Sequence, residues 1–237
     1  MIDMKSIRFP PPAADEMVRA TLEGRKTVTR RAVKPQHLRV LDSPYHKEHP
    51  ETPDKVLLER LCDPPYLPGD ILYVRETFTK YQTVNYIRCH DGRAFSEVSD
   101  GRFAYKADGY ESIDDLKDDI RLLSDCSFEA VEIWDDKWHP SIHMPREAAR
   151  IFLRVTEVRV ERVQEITYWD CLCEGITEED IDERGANTPD ASAKWLYEQI
   201  WNNCIKPADL PLRGWDANPY VWVIKFERIS KEEAENG

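Results

Sequence analysis

RIFLRVTEVRVERV, residues 150–163, reads as a strand with a fault in it. Ile151, Leu153 and Val155 share one face, and then the phase slips, so that Val158 and Val160 carry the apolar side on the other parity. One extra residue between the halves, a β-bulge, restores continuity and bends the strand, a device frequent in small barrels.

The flanking segments extend this reading. TYWDCLCEGI (167–176) predicts a short helix that starts at Thr167, with Asp170 completing a capping-box-like pattern, and ends at Gly175. Thr188 and Pro189 open a second helix, along which Ala193, Leu196, Tyr197, Ile200, Trp201 and Cys204 recur at helical spacing as core residues. YVWVIKFERI (220–229) alternates as a final strand. Upstream, Pro10 to Pro12, the acidic Asp15 and Glu16, and Gly24 bound a helix over 13–23. KTVTRRAV (26–33) then reads as a short β-branched strand, and YLPGDILYVRETF (66–78) as a turn leading into another. Residues 34–66 are a proline- and histidine-rich excursion, and 80–136 an elaboration with a strand at GRFAYKA (101–107) and an acidic surface helix over 111–125. Bends, short strands and few helices predict an α+β protein: one domain over 1–237 around a small mixed β-barrel, not a doubly wound sheet.

Composition bounds the function. The chain is 41% hydrophobic and 33% charged, which fits a globular protein rather than a disordered one. No apolar run approaches the roughly 20 residues of a membrane helix. The opening MIDMKSIRFPPPAADE has no apolar signal core, so a cytoplasmic location without membrane partners is expected. The six cysteines form no CxxC and are expected to be reduced thiols. Cys171 and Cys173 with His139 and His143 would be the zinc candidates, but Pro140 prevents a helical histidine pair, so no metal is expected. The absence of GxGxxG and GxxxxGK[ST] removes the usual dinucleotide and NTP sites, and no cofactor is expected.

Charge is uneven. The formal net charge is -12, and residues 91–136, with fourteen acidic and five basic side chains, carry -9 of it. Residues 17–40 hold seven basic side chains and one acidic. The global sign argues against broad nucleic-acid binding, which depends on neutralising many phosphates, but it permits a local pocket for a nucleoside or a short single strand. The basic island centres on LEGRKTVTRRAV, residues 22–33.

Five segments together, LEGRKTVTRR, PPYLPGDILYVRETF, WHPSIHMPREAARIFLRVTEVRVERVQEI, DCLCEGI and NPYVWVIKFERI, resemble phage-type members of the ASCH group in the PUA-like superfamily of small β-barrels. They cover both ends and the middle of the chain in the right order. Residues 34–60 and 80–136 have no counterpart in the smallest members and stand as insertions. The resemblance implies RNA or nucleotide binding. It also implies the activity of a small bacterial relative, an amidohydrolase that removes the acetyl group from cytidine acetylated on its exocyclic amine. That relative's catalytic lysine, threonine and glutamate correspond here to Lys26, Thr29 and Glu174.

Amide hydrolysis needs an activated nucleophile and a proton for the leaving amine. A lysine serves as base only when burial or nearby cations lower its pKa, and Arg25, Arg30 and Arg31 are close in sequence. Two assignments stand: Lys26 activates the Thr29 hydroxyl, or Lys26 activates a water that Thr29 orients. On a regular strand Lys26 and Thr29 face opposite sides, so a turn after Gly24 or a bulge must intervene. Substrate-contacting candidates are Arg25, Arg30 and Arg31, Arg75 and Glu76, Ser141 and His143 in the PSIHMPR loop, and Trp215 and Asn218 in GWDANP, the last two suited to stack on and hydrogen-bond a base. Plainer readings stand beside these: solvated arginines, a cross-sheet Arg75–Glu76 pair, a packed His143, a turn at Asn218 and a core Trp215. A nucleic-acid or modified-nucleotide binding module without catalysis is the alternative function.

Overall fold

The computed structural model describes residues 4–11, 13–88, 94–98, 102–123, 129–133, 137–184 and 188–236. In chain order these form β1 (Lys5–Arg8), α1 (Ala14–Leu22), β2 (Val28–Ala32), α2 (Pro35–Leu38), α3 (Pro44–Glu48), α4 (Asp54–Leu61), β3 (Ile71–Arg75), β4 (Phe78–Arg88), β5 (Ala94–Val98), β6 (Arg102–Tyr105), α5 (Ile113–Leu123) and β7 (Glu129–Ile133). There follow β8 (Phe152–Arg162), α6 (Tyr168–Cys173), α7 (Glu178–Arg184), α8 (Pro189–Asn203), α9 (Leu210–Arg213), β9 (Tyr220–Ile229) and α10 (Lys231–Asn236). The protein is α+β, and its chain divides into two compact units, residues 1–74 with 150–237, and residues 75–149. Among the described residues no helix is long and apolar enough to cross a membrane.

The first unit carries a five-stranded sheet in the order β1-β3-β8-β9-β2. Its spine is the β8–β9 ladder, and the phase slip has the expected cause: Val155 pairs with Phe226 and Glu157 with Lys225, which leaves Thr156 as the bulged residue. The expected closed barrel is corrected. Among the described residues no ladder joins β1 to β2, and the sheet is open. Its edge strands are only four and five residues long, and they meet through a side chain, where Arg31 Nη2 donates to Arg8 O at 2.9 Å. A bulge supplies the bend, but closure needs a backbone ladder between the edges.

Both faces of β9 are covered. Val221 and Val223 join Val28, Ile166, Cys171, Ala193, Tyr197 and Trp201 in one apolar cluster beneath α6, α7 and α8, while Trp222, Ile224 and Phe226 are buried on the alternate side. The α6 cap is as expected, with Thr167 and Asp170 satisfying each other's backbone N–H groups. The excursion after β2 holds three short helices that its prolines and histidines do not announce. In α4, Leu57 and Leu58 are buried, and Glu59 accepts from the Val160 N–H at 2.7 Å.

The second unit is built on β4, which pairs with β5, β6 and β7. The acidic helix is α5, where Ser112 and Asp115 cap each other's N–H groups and Leu116 is buried. Gly101 at the start of the expected strand, and 124 and 125 at the end of the expected helix, lie outside the described residues, as do 91–93, 99–100, 126–128 and 134–136 of the acidic segment 91–136.

Candidate functional site

Two chain reversals bring Lys26 to Glu174. Gly24, at φ +79°, lets the chain leave the end of α1, and the Lys26 N–H then donates to Ala20 O at 3.0 Å. The next residue breaks the sheet: Phe226 N donates to Thr27 O, but Thr27 N donates to Cys173 O at 2.9 Å, at the end of α6. Glu174 caps α6, and Gly175 turns away at φ +108°. A Cβ on Gly175 would sit 3.0 Å from Ala20 Cβ and 3.6 Å from Lys26 Cβ, so the close approach of α6 to α1 requires glycine.

The Lys26 side chain is fully enclosed. Its Nζ donates to Glu174 Oε2 at 2.5 Å, Val28 O at 2.9 Å and Glu174 O at 3.0 Å, which engages all three protons of an ammonium. The Phe9 ring lies 5.3 Å from the same nitrogen. Arg30, equally enclosed, holds the other Glu174 oxygen at 3.1 Å and reaches Glu161 at 3.4 Å and Asp170 at 3.5 Å. The Tyr197 hydroxyl completes the cluster, 3.5 Å from Glu174 Oε1. Burial pushes the Lys26 pKa down from its ordinary value, and Glu174 opposes that fall. For Arg30, burial works in the same sense but is outweighed by Glu174, Tyr197, Asp170 and Glu161, so its pKa rises. Burial, with Glu174 adding to it, lifts the Tyr197 phenol well above its usual range. The cluster therefore encloses two cations against the Glu174 carboxylate, with Glu161 and Asp170 at its partly exposed rim, and one of the cations has a weakened hold on its proton.

The sign of the Lys26 shift gives a testable pH dependence. Between the lowered folded pKa and the ordinary 10.5, the unfolded chain binds more protons at this residue, so its contribution to stability increases with pH. Urea titrations across that window are expected to show wild type gaining on Lys26→Met as pH rises toward 10.5. A gap that shrinks with pH contradicts the shift.

Thr29 does not join the pair. It is buried on β2 opposite Ile224, on the strand face away from Arg30, and its hydroxyl makes no hydrogen bond among the described residues. Arg30 is occupied by carboxylates rather than open to a ligand. Arg25 is exposed, bonded to Glu23 and to Gly175 O, and Arg31 spends its guanidinium on the Arg8 and Arg30 carbonyls. Trp215 packs edge-on to Tyr197, and its carbonyl accepts from Gln164. Asn218 adopts the left-handed conformation, with Oδ1 accepting from Gln164 N. In the second unit, the Arg75 guanidinium donates to Ile142 O, and the Glu76 N–H, in a buried residue, donates to Met144 Sδ. Ser141 and His143 lie on a short 3-10 turn. The packed histidine is His139, just before that loop and against the Phe78 ring, and His143 is exposed.

Asp170, Glu161, Tyr197 and Phe9 are members that sequence spacing does not reveal. Asp170 reads as a cap and Tyr197 as core, and both do that work as well. A cavity of about 330 Å³ opens where β2 leaves β9, lined by Thr21, Gly24, Lys26, Thr27, Thr156 and the β9 segment 225–228, with Leu153. No family model, curated protein or solved structure matches this chain.

Among the described residues no group of His, Cys, Asp and Glu is arranged to hold a metal ion, and Cys62, Cys171, Cys173 and Cys204 are free thiols. Cys171 is fully buried, and burial lifts its pKa to about 12. Alkylation of native protein by iodoacetamide, followed by peptide mapping, is expected to modify Cys173 and leave Cys171 unmodified until the protein unfolds. Equal labelling of the two would refute this burial.

Proposed function

We propose that the first unit is a PUA-like amidohydrolase acting on an N-acylated cytosine nucleoside or a related modified base. The observation that carries this reading is the 2.5 Å contact between Lys26 and Glu174, 148 residues apart in the chain, both buried, beside a cavity whose lining includes Lys26. The position of Thr29 favours a water rather than its hydroxyl as the nucleophile. In this mechanism Lys26 passes a proton to Glu174 and becomes a neutral amine, which takes a proton from the attacking water. Water oxygen bonds to the acyl carbon, the carbon–nitrogen bond breaks, and Glu174 returns its proton to the leaving amine. The products are the free acid and the unmodified base. One of the three hydrogen bonds of Lys26 must open for this, and the burial that lowers its pKa favours release of the proton.

The test is acid release from acetylated cytidine and from longer-chain acyl-cytidines. Wild type is expected to release the acid, and Lys26→Ala and Glu174→Gln to release none above background, whereas Thr29→Val retains activity. No release by folded wild type, or equal release by Lys26→Ala, ends the reading. A second reading, binding of a modified nucleotide or short single strand without chemistry, is favoured by one observation: all three Lys26 protons are already engaged. It predicts binding with affinity that falls steeply with salt and no product.

A further inference from the structure

Beyond the acyl-transfer chemistry, we propose that the cavity at the β2–β9 opening binds a phosphate group, through Lys225 and Arg228, and thereby selects a nucleotide over a nucleoside. The inference rests on the cavity being the place of the substrate.

The cavity exists because the β2–β9 ladder stops. The register ends at Val28 opposite Lys225; Phe226 N still donates to Thr27 O, but Thr27 turns its N–H to Cys173, so residues 227 and 228 of β9 lose their β2 neighbour on that side. Across the gap, the bulge turns Thr156 outward into an exposed position, and the α1–β2 turn contributes Gly24 and Thr27. About 330 Å³ falls at the small end of the range of roughly 300–1,000 Å³ found for small-molecule sites.

The charge of this lining differs from that of the protein. Of the four charged residues that line the cavity, Lys26 is neutralised by Glu174, and Glu227 by Arg154 at 2.9 Å. Lys225 makes no hydrogen bond or ion pair among the described residues. Arg228 gives one N–H to Leu22 O, which answers the negative end of α1, and no carboxylate binds the rest of its guanidinium. Two cations without carboxylate partners thus line one opening at the edge of β9, Lys225 from one face of the strand and Arg228 from the other, in a chain of net charge -12. The hydroxyls of Thr27 and Thr156 stand beside them as further donors. Ammonium, guanidinium and hydroxyl donors around an open notch suit the three oxygens of a phosphate monoester, while the acidic remainder of the surface repels such an ion elsewhere.

Titration calorimetry at low salt, with cytidine 5′-monophosphate, cytidine and inorganic phosphate, separates this site from the hydrolase reading because it requires no turnover. Wild type is expected to bind the monophosphate roughly tenfold more tightly than cytidine, with inorganic phosphate competing. Lys225→Gln, which removes an exposed and unpaired side chain, is expected to abolish that margin, and Thr156→Val to reduce it. Equal affinity for monophosphate and nucleoside, no binding of either, or a margin that survives Lys225→Gln overturns the proposal. A phosphate margin that persists in a protein releasing no acid sinks the hydrolase alone.

Discussion

Glu174→Ala is expected to lower folding stability by about 3–5 kcal/mol, read as a fall in the urea midpoint with little change in slope. The carboxylate bonds Lys26 with one oxygen and Arg30 with the other, and both cations have fully enclosed side chains. Removing it leaves one buried ammonium with only carbonyl partners, and one buried guanidinium that retains Glu161 and Asp170 at 3.4 and 3.5 Å. The penalty is that of an uncompensated charge, not the net worth of the pair, so the double variant Lys26→Met/Glu174→Leu is expected to recover much of the loss. A loss under about 1 kcal/mol in the single variant would place these charges in contact with water, as in exposed ion pairs.

Gly175→Ala is the second large effect, at about 2–4 kcal/mol, from two separable sources. At φ +108° an alanine is strained wherever it stands, and here its Cβ meets Ala20 Cβ at 3.0 Å. Ala20 belongs to α1 and is buried, so relief requires moving a helix. Gly24→Ala isolates the first source: φ is +79°, nothing lies within 4 Å of the added carbon, and about 1 kcal/mol is expected. Thermal melts that rank Gly24→Ala as the more damaging would contradict the close approach. Ala20→Gly combined with Gly175→Ala is expected to cost less than the sum of the two.

The Lys26–Glu174 pair also shows how far sequence reading reaches. Both residues came from the resemblance of their surrounding motifs, with no spacing rule to join positions 148 apart. The bulge at Thr156 was legible because a strand has period two, and a single extra residue changes the parity of everything after it. The caps at Thr167, Asp170 and Thr188 were legible for a similar reason, since capping acts within three residues. The helices α2 and α3 between β2 and β3 were not, because four and five residues are too few to show an apolar stripe.

Sheet closure and the roles of Arg30, Arg31 and Thr29 depend on distant partners. Arg30 looks like a free cation in LEGRKTVTRRAV until α6 and β8 bring three carboxylates to it. Arg31 looks like its twin, yet alternation sends it to the other face, where it ties the two sheet edges. Thr29 stands within its motif, and the same alternation turns it from Lys26. Local rules of period and capping act along the chain and are written in it. Which charges meet, and which face a side chain shares with them, follows from contacts between segments far apart in sequence, and those exist only once the chain has folded.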